Sequence, residues 1–232
     1  MTTIVTGASK GIGRAIAERF AEGGHDLMLC ARNEAQLESA ATAIRHIHAG
    51  IVVRTCAADL ATSEGVEKLA EQVLKDGAPD ILVNNAGRYN PGNISDEAPG
   101  SLEDMISVNL YSAYHLTRKL LPTMMTARKG MIVNMCSIAS LQAYPGGGAY
   151  SISKYALAGF NANLRHEMKP HGIKVMGVFP GAVMSDSWGD FDNSQGRIML
   201  ASDIAEMIFA AASLSPQAVV EDLILRPQLG DL

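Results

Sequence analysis

The chain has 232 residues, 47% of them hydrophobic, which is enough apolar side chain for a sizeable core and too much for a disordered polymer. A net charge of -5 argues against a nucleic-acid-binding surface, which is normally basic, but leaves room for a local basic pocket. Cys30, Cys56 and Cys136 sit in apolar runs without the spacing of a metal or redox motif, so buried thiols in a reducing cytoplasm are expected, with no metal site.

Taken in chain order, short β-branched runs alternate with longer helical patterns. Strands are predicted at Thr2–Thr6, Asp26–Ala31, Ile51–Cys56, Ile81–Asn84, Met131–Cys136, Ile173–Phe179 and Glu221–Leu225. Helices are predicted at Ile12–Glu22, Glu34–His48, Ser63–Lys75, Leu102–Ala127, Tyr150–Lys169 and Ser202–Ala212. This alternation implies one α/β domain over residues 1–232: a doubly wound, Rossmann-type fold with a mostly parallel seven-stranded sheet and helices on both faces. Two irregular segments, about 88–100 and 182–197, follow strands and are expected to rim a substrate pocket, because ligands in such folds bind beyond the carboxyl ends of the strands. A glycine-rich motif within the first ten residues leaves no space for a secretory leader, and no apolar run is long enough for a membrane span.

The first strand runs into Thr6-Gly7-Ala8-Ser9-Lys10-Gly11-Ile12-Gly13. Glycines at 7, 11 and 13 allow a tight turn and close approach to a pyrophosphate, at which the next helix aims its N–H groups and positive dipole end. Folds that hold a ribose 2′-hydroxyl often carry an acid at the end of the second strand, but this chain has Ala31-Arg32 there. Arg32, with Lys10 as a second cation, suits a 2′-phosphate, so the expected cofactor is NADP(H).

Tyr150 and Lys154 lie one helical turn apart on the same face, Ser137 thirteen residues upstream at a strand end, and Asn109 in Ser107-Val108-Asn109-Leu110. With Asn84-Asn85-Ala86-Gly87 and Pro180-Gly181, in this order and over essentially the whole chain, the pattern resembles the short-chain dehydrogenase/reductase family. The chemistry suits hydride transfer between a nicotinamide and a carbonyl/alcohol pair. Tyr150 would act as general acid/base, a Lys154 ammonium would lower its pKa, and Ser137 would hydrogen-bond the developing oxyanion.

The resemblance implies further roles. Lys154 would also hold the nicotinamide ribose, and Asn109 would anchor a water linking Lys154 to solvent. Ser9 and Ile12 belong to the phosphate loop. Asp59 and Leu60 would meet the adenine, and Asn85, Ala86 and Gly87 the ribose. Pro180, Gly181, Ala182 and Val183 would cover the nicotinamide, with Ser185 where the family often has Thr. Cys136 stands where a serine often precedes the catalytic one and is expected to face the core. Arg88, Tyr89, Tyr144, Met184, Trp188 and Phe191 are expected to form an apolar or aromatic substrate pocket. The tail is similar to bacterial sepiapterin-reductase-like members, and the core motifs equally fit 3-oxoacyl-carrier-protein reductases. A non-enzymatic dinucleotide sensor is a further alternative on this fold. Family members usually pair through the two long helices, so a small-molecule substrate and a homodimer or homotetramer are expected, with no nucleic-acid or membrane partner.

Overall fold

The computed structural model describes residues 1–185 and 188–231. β1 (Thr2–Thr6) leads to α1 (Gly11–Glu22), β2 (Asp26–Ala31), α2 (Glu34–Arg45), β3 (Val53–Ala57), α3 (Ser63–Leu74) and β4 (Ile81–Asn84). Then follow α4 (Ser101–Ile106), α5 (Ser112–Ala127), β5 (Met131–Met135), α6 (Gly148–Met168), β6 (Lys174–Pro180), α7 (Ala201–Ala212) and β7 (Asp222–Leu225). The seven strands make one sheet in the order β3-β2-β1-β4-β5-β6-β7, every pairing parallel.

Strands such as Ile81–Asn84 are buried along their whole length, because helices cover both faces of the sheet. On one face Ile16, Phe20, Leu37, Ile44, Ile204 and Ile208 of α1, α2 and α7 build the core. On the other face Leu69, Val73, Leu116, Leu120, Leu164 and Met168 of α3, α5 and α6 do so. The chain winds outward from β1 to β3 and then returns to lay β4 against the opposite side of β1. That reversal opens a crevice at the carboxyl ends of β1 and β4, the place where such sheets receive ligands.

The predicted boundaries shift by a few residues, with α6 beginning at Gly148 and so placing Tyr150 in its first turn. One feature was not foreseen. The predicted helix Leu102–Ala127 is not uniformly α-helical, because Ser107–Tyr111 form a π turn between α4 and α5. π turns widen the backbone ring by one residue and rotate the side chains that follow. Here the turn contains Asn109, which is 1% exposed. Of the predicted 182–197 segment, Asp186 and Ser187 lie outside the described residues. The remainder is pinned by a parallel bridge between Val183 and Met199, and by Asn193, whose side chain exchanges two hydrogen bonds with the Ile198 backbone.

Candidate active site

The crevice begins at the glycine loop. Gly7 adopts φ 65°, the left-handed region that side chains avoid. A Cβ on Gly13 would overlap the Gly7 carbonyl and the Asn85 side chain, so α1 starts hard against the end of β1. Asn85 ties the loop down: its Nδ2 donates to the Thr6 carbonyl (2.8 Å), and its backbone N–H donates to Thr6 Oγ1 (2.9 Å). No side chain caps α1, which leaves its first-turn N–H groups facing a cleft of about 780 Å³. Gly7, Ser9, Lys10, Gly11, Ile12, Gly13, Arg32, Asp59, Leu60, Asn85, Ala86, Gly87 and Ser185, all named in the sequence analysis, line this cleft. Asn33, Gln36 and Ala61 line it too, and no motif marked them. The donor set fits a dinucleotide: glycine-lined backbone and a helix N-terminus for the pyrophosphate, with the cations Arg32 and Lys10 lining the same cleft.

A second cavity of about 490 Å³ adjoins the first, sharing Ile12, Asn85, Gly87 and Ser185 with it. Ser137, Tyr150 and Lys154 line this cavity together with Pro180, Gly181 and Val183. Ser137 lies two residues beyond β5 and is held by its own turn, where its Oγ accepts from Ala139 N–H (3.1 Å) and its N–H donates to Ser140 Oγ (3.2 Å). Lys154 is 6% exposed, and its ammonium donates to the Met135 carbonyl (2.8 Å). Asn109 lies just behind. Its Oδ1 accepts from the Arg88 N–H (2.7 Å), while its Nδ2 donates to the Arg88 carbonyl (3.0 Å) and to Ser153 Oγ (2.9 Å). Asn109 therefore binds the π turn, the start of the 88–100 segment and α6 to one another.

The electrostatics correct one expectation. Burial is the largest influence on Tyr150 and pushes its phenol above 10, reinforced by neighbouring Tyr89 and only partly countered by a hydrogen bond with Ser137. The Lys154 ammonium stands 5.9 Å from the centre of the Tyr150 ring and does not offset this. Burial acts on Lys154 as well, bringing it from 10.5 down to about 8. Without ligand, Tyr150 thus keeps its proton at neutral pH, the form a proton donor needs.

Four of the six expected pocket residues line the cavity: Arg88, Tyr89, Tyr144 and Trp188. Met184 and Phe191 do not. Met184 is engaged in the short backbone pairing with Met199, and Phe191 packs behind Trp188, ring centres 5.3 Å apart. Trp188 is held by its indole N–H, which donates to the Val183 carbonyl (2.9 Å). Gln142 and Asp231 also face the cavity and were not anticipated. Asp231 is brought in by the folding back of the tail, where Arg197 donates to the Gly230 and Asp231 carbonyls. Cys136 packs with Ala113, Leu157 and Phe179 as expected of a core thiol, and also touches the cavity floor. Among the described residues no cluster of His, Cys, Asp and Glu could hold a metal ion, and no helix is long and apolar enough to cross a membrane.

Comparison with known proteins places this arrangement. The family described as short chain dehydrogenase matches residues 1–196. A sepiapterin reductase of Chlorobaculum tepidum is 32% identical over 238 aligned positions, covering 99% of this chain and 97% of that protein. An alcohol dehydrogenase of Thermococcus sibiricus, solved with 5-hydroxy-NADP, superposes with a TM-score of 0.89 at 28% identity, covering 98% and 96% of the two chains. An L-sorbose reductase of Gluconobacter frateurii, solved with NADPH and L-sorbose, superposes with a TM-score of 0.88 at 27% identity, covering 97% and 94%.

Proposed function

The chain belongs to the short-chain dehydrogenase family, and on that premise we propose that it is an NADP(H)-dependent oxidoreductase acting on a carbonyl/alcohol pair, with Tyr150 as its proton-transfer residue. The observation that carries this reading is the meeting of Ser137, Tyr150 and Lys154 on one cavity that opens into the glycine-loop cleft.

When bound, the cofactor supplies or accepts the hydride. The protein's own residues do the rest. Gly7, Ser9, Gly11, Ile12 and Gly13 would cradle the pyrophosphate, and Arg32 and Lys10 the 2′-phosphate. Asp59, Leu60, Asn85, Ala86 and Gly87 would line the adenosine and ribose, and Pro180, Gly181, Val183 and Ser185 the nicotinamide. Cofactor-bound relatives support this choice: the Thermococcus sibiricus and Gluconobacter frateurii structures carry an NADP derivative and NADPH. Ser137 would donate to the substrate oxygen, and Tyr150, protonated at neutral pH, would deliver its hydroxyl proton to that oxygen as negative charge grows there. The buried Lys154 ammonium would then stabilise the phenolate left behind, in a site where low dielectric strengthens the attraction. Asn109 would hold the start of the 88–100 segment against the catalytic helix.

The enzyme would act in the cytoplasm. It would assemble as a homodimer or homotetramer, a reading supported by Tyr111, Tyr114, Ile152 and Tyr155 standing exposed on the two long helices and the turn before α5. Purified protein should consume NADPH with an activated ketone, and Tyr150→Phe should lower turnover by about 10²–10⁴-fold while cofactor binding persists. Equal turnover by the Phe variant, on a substrate whose chemical step limits the rate, would remove Tyr150 from the mechanism.

A further inference from the structure

The first turn of α6 lacks a cap of its own. Gly147, at its N-cap, has no side chain with which to accept from the free N–H groups of that turn. The acceptor comes instead from 52 residues away, where Glu97 Oε1 accepts from Ala149 N–H (2.7 Å). Ala149 directly precedes Tyr150. The backbone is shaped around this contact. Gly148 adopts φ 30°, and a Cβ there would overlap both Glu97 Oε1 and the Gly92 carbonyl. Glycine at 148 is thus what lets the carboxylate reach the helix.

Glu97 belongs to the irregular 88–100 segment, which contains no helix or strand. Beyond Arg88, only Gly92 and Glu97 in this segment are half-buried, and all its other residues are exposed. The same residues anchor it. Asn109 holds the Arg88 backbone, Gly92 N–H donates to the Gly146 carbonyl (2.9 Å), and Glu97 grips Ala149. The N–H groups of Asp96 and Glu97 both donate to the Asn93 carbonyl (3.0 Å each), a turn that presents the Glu97 side chain to α6. A carboxylate also suits the positive end of a helix dipole.

Tyr150 is therefore fixed from both sides. After it, Ser151 Oγ donates to the Ala139 carbonyl (2.8 Å), in the turn that holds Ser137, and Lys154 donates to the Met135 carbonyl (2.8 Å). These bonds set α6 against the end of β5. Before it, Glu97 and Gly92 set the start of α6 against the segment that carries Tyr89, whose ring stands edge-on to that of Tyr150 with centres 4.9 Å apart. Glu97 itself lines neither cavity.

We propose that Glu97 is a positioning residue for proton transfer: it keeps the first turn of α6 wound and the 88–100 segment closed upon it, so that the Tyr150 hydroxyl meets the oxygen that Ser137 holds. This rests on the oxidoreductase reading above. Glu97 acts through Tyr150, by reach and not by charge. Ala149 N–H needs an acceptor at the end of a side chain of this length, and a glutamine Oε1 supplies one as well. Without it the turn frays at Gly147–Ala149, and Tyr150, the next residue, loses its orientation. Small errors in the placement of a reacting group cost rate steeply.

The test uses the whole protein with NADPH and an activated ketone whose chemical step limits the rate, alongside a fluorescence titration of NADPH. Glu97→Ala should lower kcat about five- to tenfold, the weight of one helix cap, with a smaller rise in KM. The Kd for NADPH should stay within about twofold of wild type, because Glu97 does not reach the glycine-loop cleft. Glu97→Gln keeps the acceptor without the charge and should retain at least about half of the wild-type kcat. Glu97→Asp keeps the charge but is one methylene too short, and should resemble the Ala variant. If the Ala variant does not fold, the Gln and Asp variants decide the matter between them. Wild-type kcat in the Ala variant, an Asp variant more active than the Gln variant, or NADPH affinity falling in step with kcat would overturn the proposal while leaving the oxidoreductase reading intact. Failure of the wild type to oxidise NADPH with activated ketones would instead sink the reading on which it rests.

Discussion

Lys154 offers a direct test of how the site is built, because its ammonium is held where folding alone would not keep it. Burial brings it from 10.5 in an open chain to about 8 in the folded protein. At about 1.4 kcal/mol per pH unit, retaining the charged form costs roughly 3 kcal/mol. The sign follows from the proton count. Below pH 8 both folded and unfolded chains carry the proton, and the folded state bears the full penalty. Between about pH 8 and 10.5 the unfolded chain binds more protons, so stability from this group rises with pH until the penalty is gone. Lys154→Met removes the charge and keeps most of the apolar stem, but loses the hydrogen bond to the Met135 carbonyl, which sets about 1 kcal/mol against the gain. The cofactor-free Met variant should therefore be more stable than wild type by about 2 kcal/mol at neutral pH, an advantage that fades and reverses slightly by about pH 10.5. Activity should be lost. Urea unfolding of both proteins across this range gives the difference directly, since groups common to both cancel. A Met variant that is no more stable at neutral pH, or whose advantage does not change with pH, would refute the argument that Lys154 is a buried cation maintained for chemistry.

Cofactor preference should reside at the end of β2. Arg32 is exposed, so each charge-assisted contact is expected near or below the lower end of roughly 1.5–3 kcal/mol. Wild type should accordingly prefer NADPH to NADH by about ten- to a hundredfold in kcat/KM, less at high salt. The double change Arg32→Asp with Lys10→Ala should reverse the order, and a wild type using both cofactors equally would show these cations to be idle. Gly13→Ala places a methyl group against the Gly7 carbonyl and the Asn85 side chain. It should weaken NADPH binding at least about tenfold in a fluorescence titration while the sheet stays folded by circular dichroism; unchanged affinity would show that the loop has slack the packing denies.

How much of this was legible in the chain can be judged from particular residues. Tyr150 and Lys154 were recognisable because four residues make one helical turn, and Gly7, Gly11 and Gly13 because a strand running into a helix over glycines has a limited set of uses. Arg32 was legible through the absence of an acid beside it. The alternation of apolar runs determined the parallel, doubly wound class, although it could not specify the order β3-β2-β1-β4-β5-β6-β7. These are local properties, written in spacing and residue type. What escaped depends on distant parts of the chain being packed together. The π turn at Ser107–Tyr111 leaves no mark in a helical pattern, because shifting one hydrogen-bond register changes no residue type. Gln142 and Asp231 reach the cavity only through the paths of their loops, and Met184 and Phe191 miss it for the same reason. The protonation of the site belongs to tertiary structure above all. Spacing suggested that Lys154 would depress Tyr150, yet a pKa responds to the water removed from around a group as well as to its neighbours, and only the closed fold decides how much water is removed.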